Sequence, residues 1–281
     1  MLINRLCMEV VSRVPTLPTA WWRHPFILTR AITPPANFSS LLADATPDLE
    51  GDVYRTGAAA RSLAERLTLS RAMQIPTAYT LFSAESHWHP LLRLAGVTEE
   101  PFLSALPQLA CNLTQRFEAE AHWRMLMVGG AEATLGMHLH VDALPTSSWQ
   151  LQLQGAKRWL LCPPAARGYC GGGVDDPDAA VAPCGGDEEE EEEAAACLSA
   201  AVRPGELLYY PARWWHRTRS AGGAAVVSLS RSLVTPSNAR EMAAAVRAFC
   251  DRALAVARDA YLPTCQQLMP CAQRWDAIPD G

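Results

Sequence analysis

Gly136-Met-His-Leu-His-Val-Asp142 is followed by Ser147-Ser-Trp-Gln-Leu-Gln-Leu-Gln154 and then Gly155-Ala-Lys-Arg-Trp-Leu-Leu-Cys162. The middle segment alternates strictly after Ser148, which is the period of a strand with two different faces. Gly155-Ala156 reads as a turn, and 157–162 as the next strand, closed by Pro163-Pro164. The first segment, 136–141, also reads as a strand. Residues two apart share a strand face, so His138, His140 and Asp142 point the same way if that strand is regular. A metal takes two ligands from such a run and needs a third from elsewhere. His216 is the best candidate, because the turn and strand of 203–211 carry it toward the same end. Two imidazoles and one carboxylate on one face of an ion leave the opposite positions open. Each residue alone is more simply read as a packed or surface side chain; the combination carries the signal.

The pattern continues on both sides. Short strands are expected at 26–30, 78–82, 122–128 and 224–233, with a hairpin at Ser220-Ala221-Gly222-Gly223. Frequent turns between short strands favour an antiparallel barrel or double-sheet jelly roll. Apolar residues at Leu63, Leu67, Leu69 and Met73 predict a helix over 56–73. A further short helix is expected over 101–113. Pro236 starts a C-terminal helix whose apolar stripe is Met242, Val246, Phe249, Ala253 and Val256. That helix packs on the barrel or pairs with a second copy of the chain as a homodimer. Ser228, Ser230 and Ser232 share one face of the 224–233 strand, and the sequence leaves open whether that face is inside.

With 281 residues, 49% of them hydrophobic, the chain can bury a full core. The net charge of −5 comes from the acidic run at 187–193; elsewhere the chain is close to neutral. No basic stripe supports binding to a nucleic-acid backbone. No apolar run is long enough to span a membrane, and residues 1–14 lack a signal-peptide core. Nine cysteines without a C-x-x-C pair read as free thiols, which points to a cytoplasmic or nuclear protein. Residues 165–197 are glycine-rich and acidic, and read as a disordered insertion. The expected organisation is a mixed α/β part at 1–113, a core at 114–235 holding that insertion, and a helical segment at 236–281.

Leu135-Gly-Met-His-Leu-His-Val-Asp142 together with 146–164 resembles the metal and co-substrate segment of the JmjC-domain 2-oxoglutarate oxygenases. Arg203-Pro-Gly-Glu-Leu-Leu-Tyr-Tyr-Pro-Ala-Arg-Trp-Trp-His216 resembles their second metal segment, and the small JmjC hydroxylases are the most similar members. The resemblance covers 123–233, with a weaker likeness at 26–30. It implies a mainly β fold with flanking helices, a double-stranded β-helix of the cupin type. It implies Fe(II) held by His140, Asp142 and His216, with 2-oxoglutarate and O2 as co-substrates. Lys157 is implied to receive the far carboxylate of 2-oxoglutarate, with Ser228 and Tyr79 beside it and Gln150 nearby. The implied reaction couples decarboxylation to succinate with hydroxylation of a protein side chain. The alternatives are removal of N-methyl groups from lysine or arginine by the same chemistry, an inactive JmjC-fold binding module, a cupin using manganese or zinc, and a nucleic-acid hydroxylase, which the charge disfavours. Arg213 departs from the pattern by standing where a glycine is expected, and His138 is an extra histidine beside the triad.

Overall fold

In a computed structural model of the chain, Ser147–Gln154 forms a central strand with both faces covered. The residues described are 9–11, 22–36, 38–56, 61–84, 86–97, 123–133, 136, 140–164, 169–170, 182–183, 197–221 and 223–278. The strands are β1 (Glu9–Val11), β2 (Phe26–Leu28), β3 (Glu50–Thr56), β4 (Arg61–Thr68), β5 (Ala78–Ser83), β6 (Arg124–Gly129) and β7 (Ser147–Gln154). They continue with β8 (Lys157–Cys162), β9 (Tyr169–Cys170), β10 (Ala182–Pro183), β11 (Leu198–Val202), β12 (Leu207–Tyr210), β13 (Trp215–Ser220) and β14 (Val226–Leu233). Helices are α1 (Phe38–Ala45), α2 (Leu69–Met73), α3 (Trp88–Leu94) and α4 (Ala239–Asp276).

A nine-stranded sheet runs β1-β2-β12-β7-β14-β6-β5-β3-β4, antiparallel except for β1 on β2. A three-stranded sheet, β11-β8-β13, faces it. The alternation along the strands decides which residues go where. On β7, Trp149, Leu151 and Leu153 join Leu207, Tyr209, Val227 and Leu229 in the larger core, which α1 to α4 cover with Phe38, Leu42, Leu69, Trp88, Met242 and Trp275. Burying each such side chain contributes about 1.5–3 kcal/mol. The opposite parity looks between the sheets. There Leu208 and Tyr210 meet Trp159, Leu161 and Trp214 in a second cluster. Ser148, Gln150, Gln152, Ser228 and Ser230 share this inner parity and are buried. The serine row of β14 therefore lies inside.

Two of the crossovers between the sheets lie side by side. Gly155, at φ 62°, turns β7 into β8, and a Cβ there would meet the Ala225 carbonyl oxygen at 2.5 Å. Residues 221–225 lead from β13 in the small sheet to β14 in the large one. The hairpin expected at 220–223 is thus a crossover: β13 pairs with β8, and β14 with β6 and β7. The helix expected over 56–73 is also corrected. Residues 61–68 form β4, hydrogen-bonded to β3, and among the described residues of that span only Leu69–Met73 is helical. Spacings of four satisfy a strand's period as well as a helix's, whereas the spacing of two between Leu67 and Leu69 fits a strand alone. Of the strand expected at 136–141, residues 137–139 lie outside the described residues, and His140 forms a bridge with His216.

The cysteines are corrected as well. Cys162 and Cys197 are disulfide-bonded, as are Cys250 and Cys265. The first pair stands next to the facing residues Leu161 and Leu198 of β8 and β11, a neighbourhood that sequence spacing does not reveal. The argument for a reducing compartment lapses with the free thiols. In α4 the backbone breaks at Ala257 and the chain folds back, bringing Arg247 onto Asp276 and Phe249 onto Tyr261. Met242 and Val246 are buried with Leu268 and Trp275, whereas Val256, at the break, is 87% exposed and leaves the expected stripe. No helix among the described residues is long and apolar enough to cross a membrane. The helix expected over 101–113, His138 and the acidic run lie outside the described residues.

Candidate metal centre and acid pocket

His140 and His216 face each other as an antiparallel bridge, each N–H donating to the other's carbonyl at 3.0 and 2.9 Å. Gly136 continues this contact by donating to the Thr218 carbonyl at 3.0 Å, and its missing Cβ lets the segment lie against Thr218. The backbone lock sets the two imidazole rings 4.1 Å apart. Two residues on, Asp142 Oδ1 lies 3.7 Å from His140 Nε2 and 3.6 Å from His216 Nε2. The three ligand atoms all fall within 4.8 Å of one another. A first-row ion binds N and O at about 2.1 Å, which sets neighbouring donors about 3 Å apart. Small side-chain adjustments therefore bring this triangle onto one ion.

Surrounding groups fix the ligands. His216 Nδ1 lies 3.0 Å from the Trp214 carbonyl, which only accepts. A proton on Nδ1 meets that carbonyl, and Nε2 is the ring nitrogen turned toward Asp142. The Ser148 hydroxyl donates to Asp142 Oδ2 at 3.5 Å. The Tyr210 ring packs tilted against His216, centroids 4.6 Å apart, with its hydroxyl 3.5 Å from Nε2, and Trp159 flanks the same ring. Burial, then the charge of Asp142, hold the Tyr210 phenol well above its usual range, so it stays neutral. His216 is buried, while the side chains of His140 and Asp142 keep 20% and 32% exposure. The triad thus has one open side.

Further into the barrel is a second polar cluster. Lys157 is only 1% exposed, and its ammonium donates to Ser228 Oγ at 2.7 Å. It sits 5.4 Å from the centre of the Tyr79 ring. Desolvation is the cause that lowers its pKa to about 7. Among the described residues no carboxylate lies within ion-pair distance of it. The Tyr79 hydroxyl and Gln150 Nε2 both donate to the thioether of Met127, at 3.2 and 2.8 Å, and Lys157 Nζ reaches it at 3.8 Å. Gln150 Oε1 is buried without a hydrogen-bond partner. A buried ammonium costs several kcal/mol unless an anion meets it, and the donors around it suit a carboxylate. The inner face of β7 links the two clusters: Ser148 touches Asp142, and Gln150, two residues on and roughly 7 Å away, touches Met127.

The structure therefore gathers His140, Asp142 and His216 at one point, and Lys157, Ser228, Tyr79 and Gln150 at another. Sequence reasoning missed Met127, Ser148 and Tyr210. Ser148 shares the inward parity of Gln150 and was legible on that ground. Met127 was not, because its place depends on β6 pairing with β14, which sets Met127 opposite Ser228. Arg213 takes the left-handed conformation at φ 66° that a glycine would adopt freely, at a cost of about 1 kcal/mol. Its side chain pairs with Glu241 on α4 at 3.1 Å, so the turn before Trp214 is kept and the guanidinium points to the helix.

No curated protein matches the chain in sequence. Among solved structures, YcfD of Escherichia coli is similar at 14% identity and TM-score 0.47, over 82% of this chain and 54% of that one. Two further structures of that protein, described as a ribosomal oxygenase, hold cobalt with succinic acid (14% identity, TM-score 0.45, 82% and 52% coverage) and cobalt with 2-oxoglutarate (13%, 0.45, 83% and 53%). The chain spans about half the length of these relatives. The family described as Cupin-like domain matches residues 43–231, which takes in most of the two sheets and the whole triad. The chain belongs to that family of cupin-like domains.

Proposed function

We propose that this chain is an Fe(II)- and 2-oxoglutarate-dependent dioxygenase that hydroxylates a protein side chain. The observation that carries the reading is the pairing of an open two-histidine, one-aspartate triad with a buried lysine that has no counter-ion among the described residues. Neither half alone is distinctive. Together they offer a metal at one end and a carboxylate receptor at the other, one short diacid apart along β7.

His140, Asp142 and His216 would hold the iron. When bound, it supplies O2 activation coupled to decarboxylation of 2-oxoglutarate. The rest is positioning by the chain. Lys157, Ser228 and Tyr79 meet the far carboxylate, and the ammonium stabilises its charge in a site shut off from water. Ser148 holds Asp142, and the Trp214 carbonyl sets the His216 tautomer. Tyr210, Trp159 and Trp214 wall the inner side and keep solvent from it. The exposed edges of His140 and Asp142 leave the outer side for substrate. A protein side chain is favoured by the resemblance to the small JmjC hydroxylases.

The test is turnover without a prime substrate. Fe(II)- and O2-dependent conversion of 2-oxoglutarate to succinate is expected in the wild type and lost in His140→Ala and Asp142→Ala. Full activity in both variants would show that the site is elsewhere.

A further inference from the structure

The acid pocket is sealed by a residue that neither metal nor charge chemistry calls for. Three side chains with strong donors, Tyr79, Gln150 and Lys157, converge on the sulfur of Met127. A thioether is a weak acceptor, and it cannot replace what an anion would offer these donors. The donors are all buried to 2% exposure or less, yet Met127 itself is only half-buried. Met127 is thus the most exposed of the four side chains in this cluster. Met127 is also unbranched, with three rotatable bonds, so it can vacate that place without moving β6.

We propose that Met127 sets which acid the pocket accepts: its thioether closes the donor set when the pocket is empty, and its bulk limits the length of the diacid that displaces it. This rests on the 2-oxoglutarate reading given above, and it adds a determinant of co-substrate selectivity. Two observations support it independently of that reading. Met127 faces Ser228 across β6 and β14, so its side chain enters at the level of the Lys157 ammonium. Gln150 keeps a buried, unpartnered Oε1 while its Nε2 is spent on the sulfur, so its amide gains nothing from the thioether beyond one weak bond.

The experiment is calorimetric binding of 2-oxoglutarate and of 2-oxoadipate, one methylene longer, to the Co(II)-loaded full-length chain. The wild type should prefer 2-oxoglutarate. In Met127→Ala the preference should fall by roughly tenfold or more, the usual worth of one methylene in a fitted pocket. Met127→Leu keeps the bulk without the sulfur and should hold the wild-type preference within about threefold, by the same scale. An unchanged preference in Met127→Ala would overturn the proposal, as would a collapse of the preference in Met127→Leu. If the wild type binds neither acid, it is the oxygenase reading that fails. Thermal melting of each variant separates lost binding from lost folding.

Discussion

Lys157 occupies a costly position. Its ammonium is buried against Ser228 and the Tyr79 ring, and desolvation brings its pKa from 10.5 to about 7. Between those values the unfolded chain holds a proton that the folded, ligand-free protein has released. Stability therefore rises with pH across about 7 to 10.5, by at most about 1.4 kcal/mol per unit, and below 7 the penalty is present in full. Lys157→Met keeps the volume and removes the charge. It should be more stable than the wild type at pH 7, and denaturant titrations at several pH values should show the difference shrinking as pH rises. Parallel stability profiles for the two proteins would mean that Lys157 is not desolvated. The same linkage governs binding: an acid that needs the ammonium should bind progressively more weakly above pH 7. At this scale the triad was legible because His-x-Asp and Trp-Trp-His carry rare side chains at fixed spacing. Met127 was hidden because an ordinary apolar residue acquires its role only from the strand opposite.

At the scale of elements, β7 shows what a sequence reveals and what it withholds. The alternation of Trp149, Leu151 and Leu153 with Ser148, Gln150 and Gln152 is visible in the chain and gives the strand its two faces. That both faces are buried is not visible, because the polar face is covered by the second sheet. The region at 61–68 failed for a different reason: leucines four apart satisfy either period, and the edge pairing of β3 with β4 decided between them. The C-terminal stripe was partly right. Its first half is taken up within the chain, since α4 breaks at Ala257 and packs Met242 and Val246 with Leu268. Leu268→Ala should therefore cost about 2–5 kcal/mol in chemical denaturation, whereas Val256→Ala, in solvent, should stay within about 0.5 kcal/mol. Equal costs for the two would mean that the helix does not double back.

The whole molecule gathers buried polar side chains between two sheets. The larger sheet turns its apolar face to the helices and its mixed face inward, and the smaller sheet closes the inward side with Lys157, Trp159, Leu161 and His216. His216 faces Leu161 across β13 and β8, four residues along β8 from Lys157. The metal end and the acid end thus share one strand pair, and β7 runs along both. The two clusters were written as separate motifs in the sequence, and only the jelly-roll path of the chain makes them one site. If they serve the two ends of a single 2-oxo diacid, binding at one must strengthen binding at the other. The direct measurement is the anaerobic affinity of the full-length chain for 2-oxoglutarate with and without Fe(II). A single two-ended site requires binding at least about tenfold tighter with the metal, an increment lost in Asp142→Ala, and little binding under either condition in Lys157→Met. Equal wild-type affinity in the presence and absence of Fe(II) would contradict it.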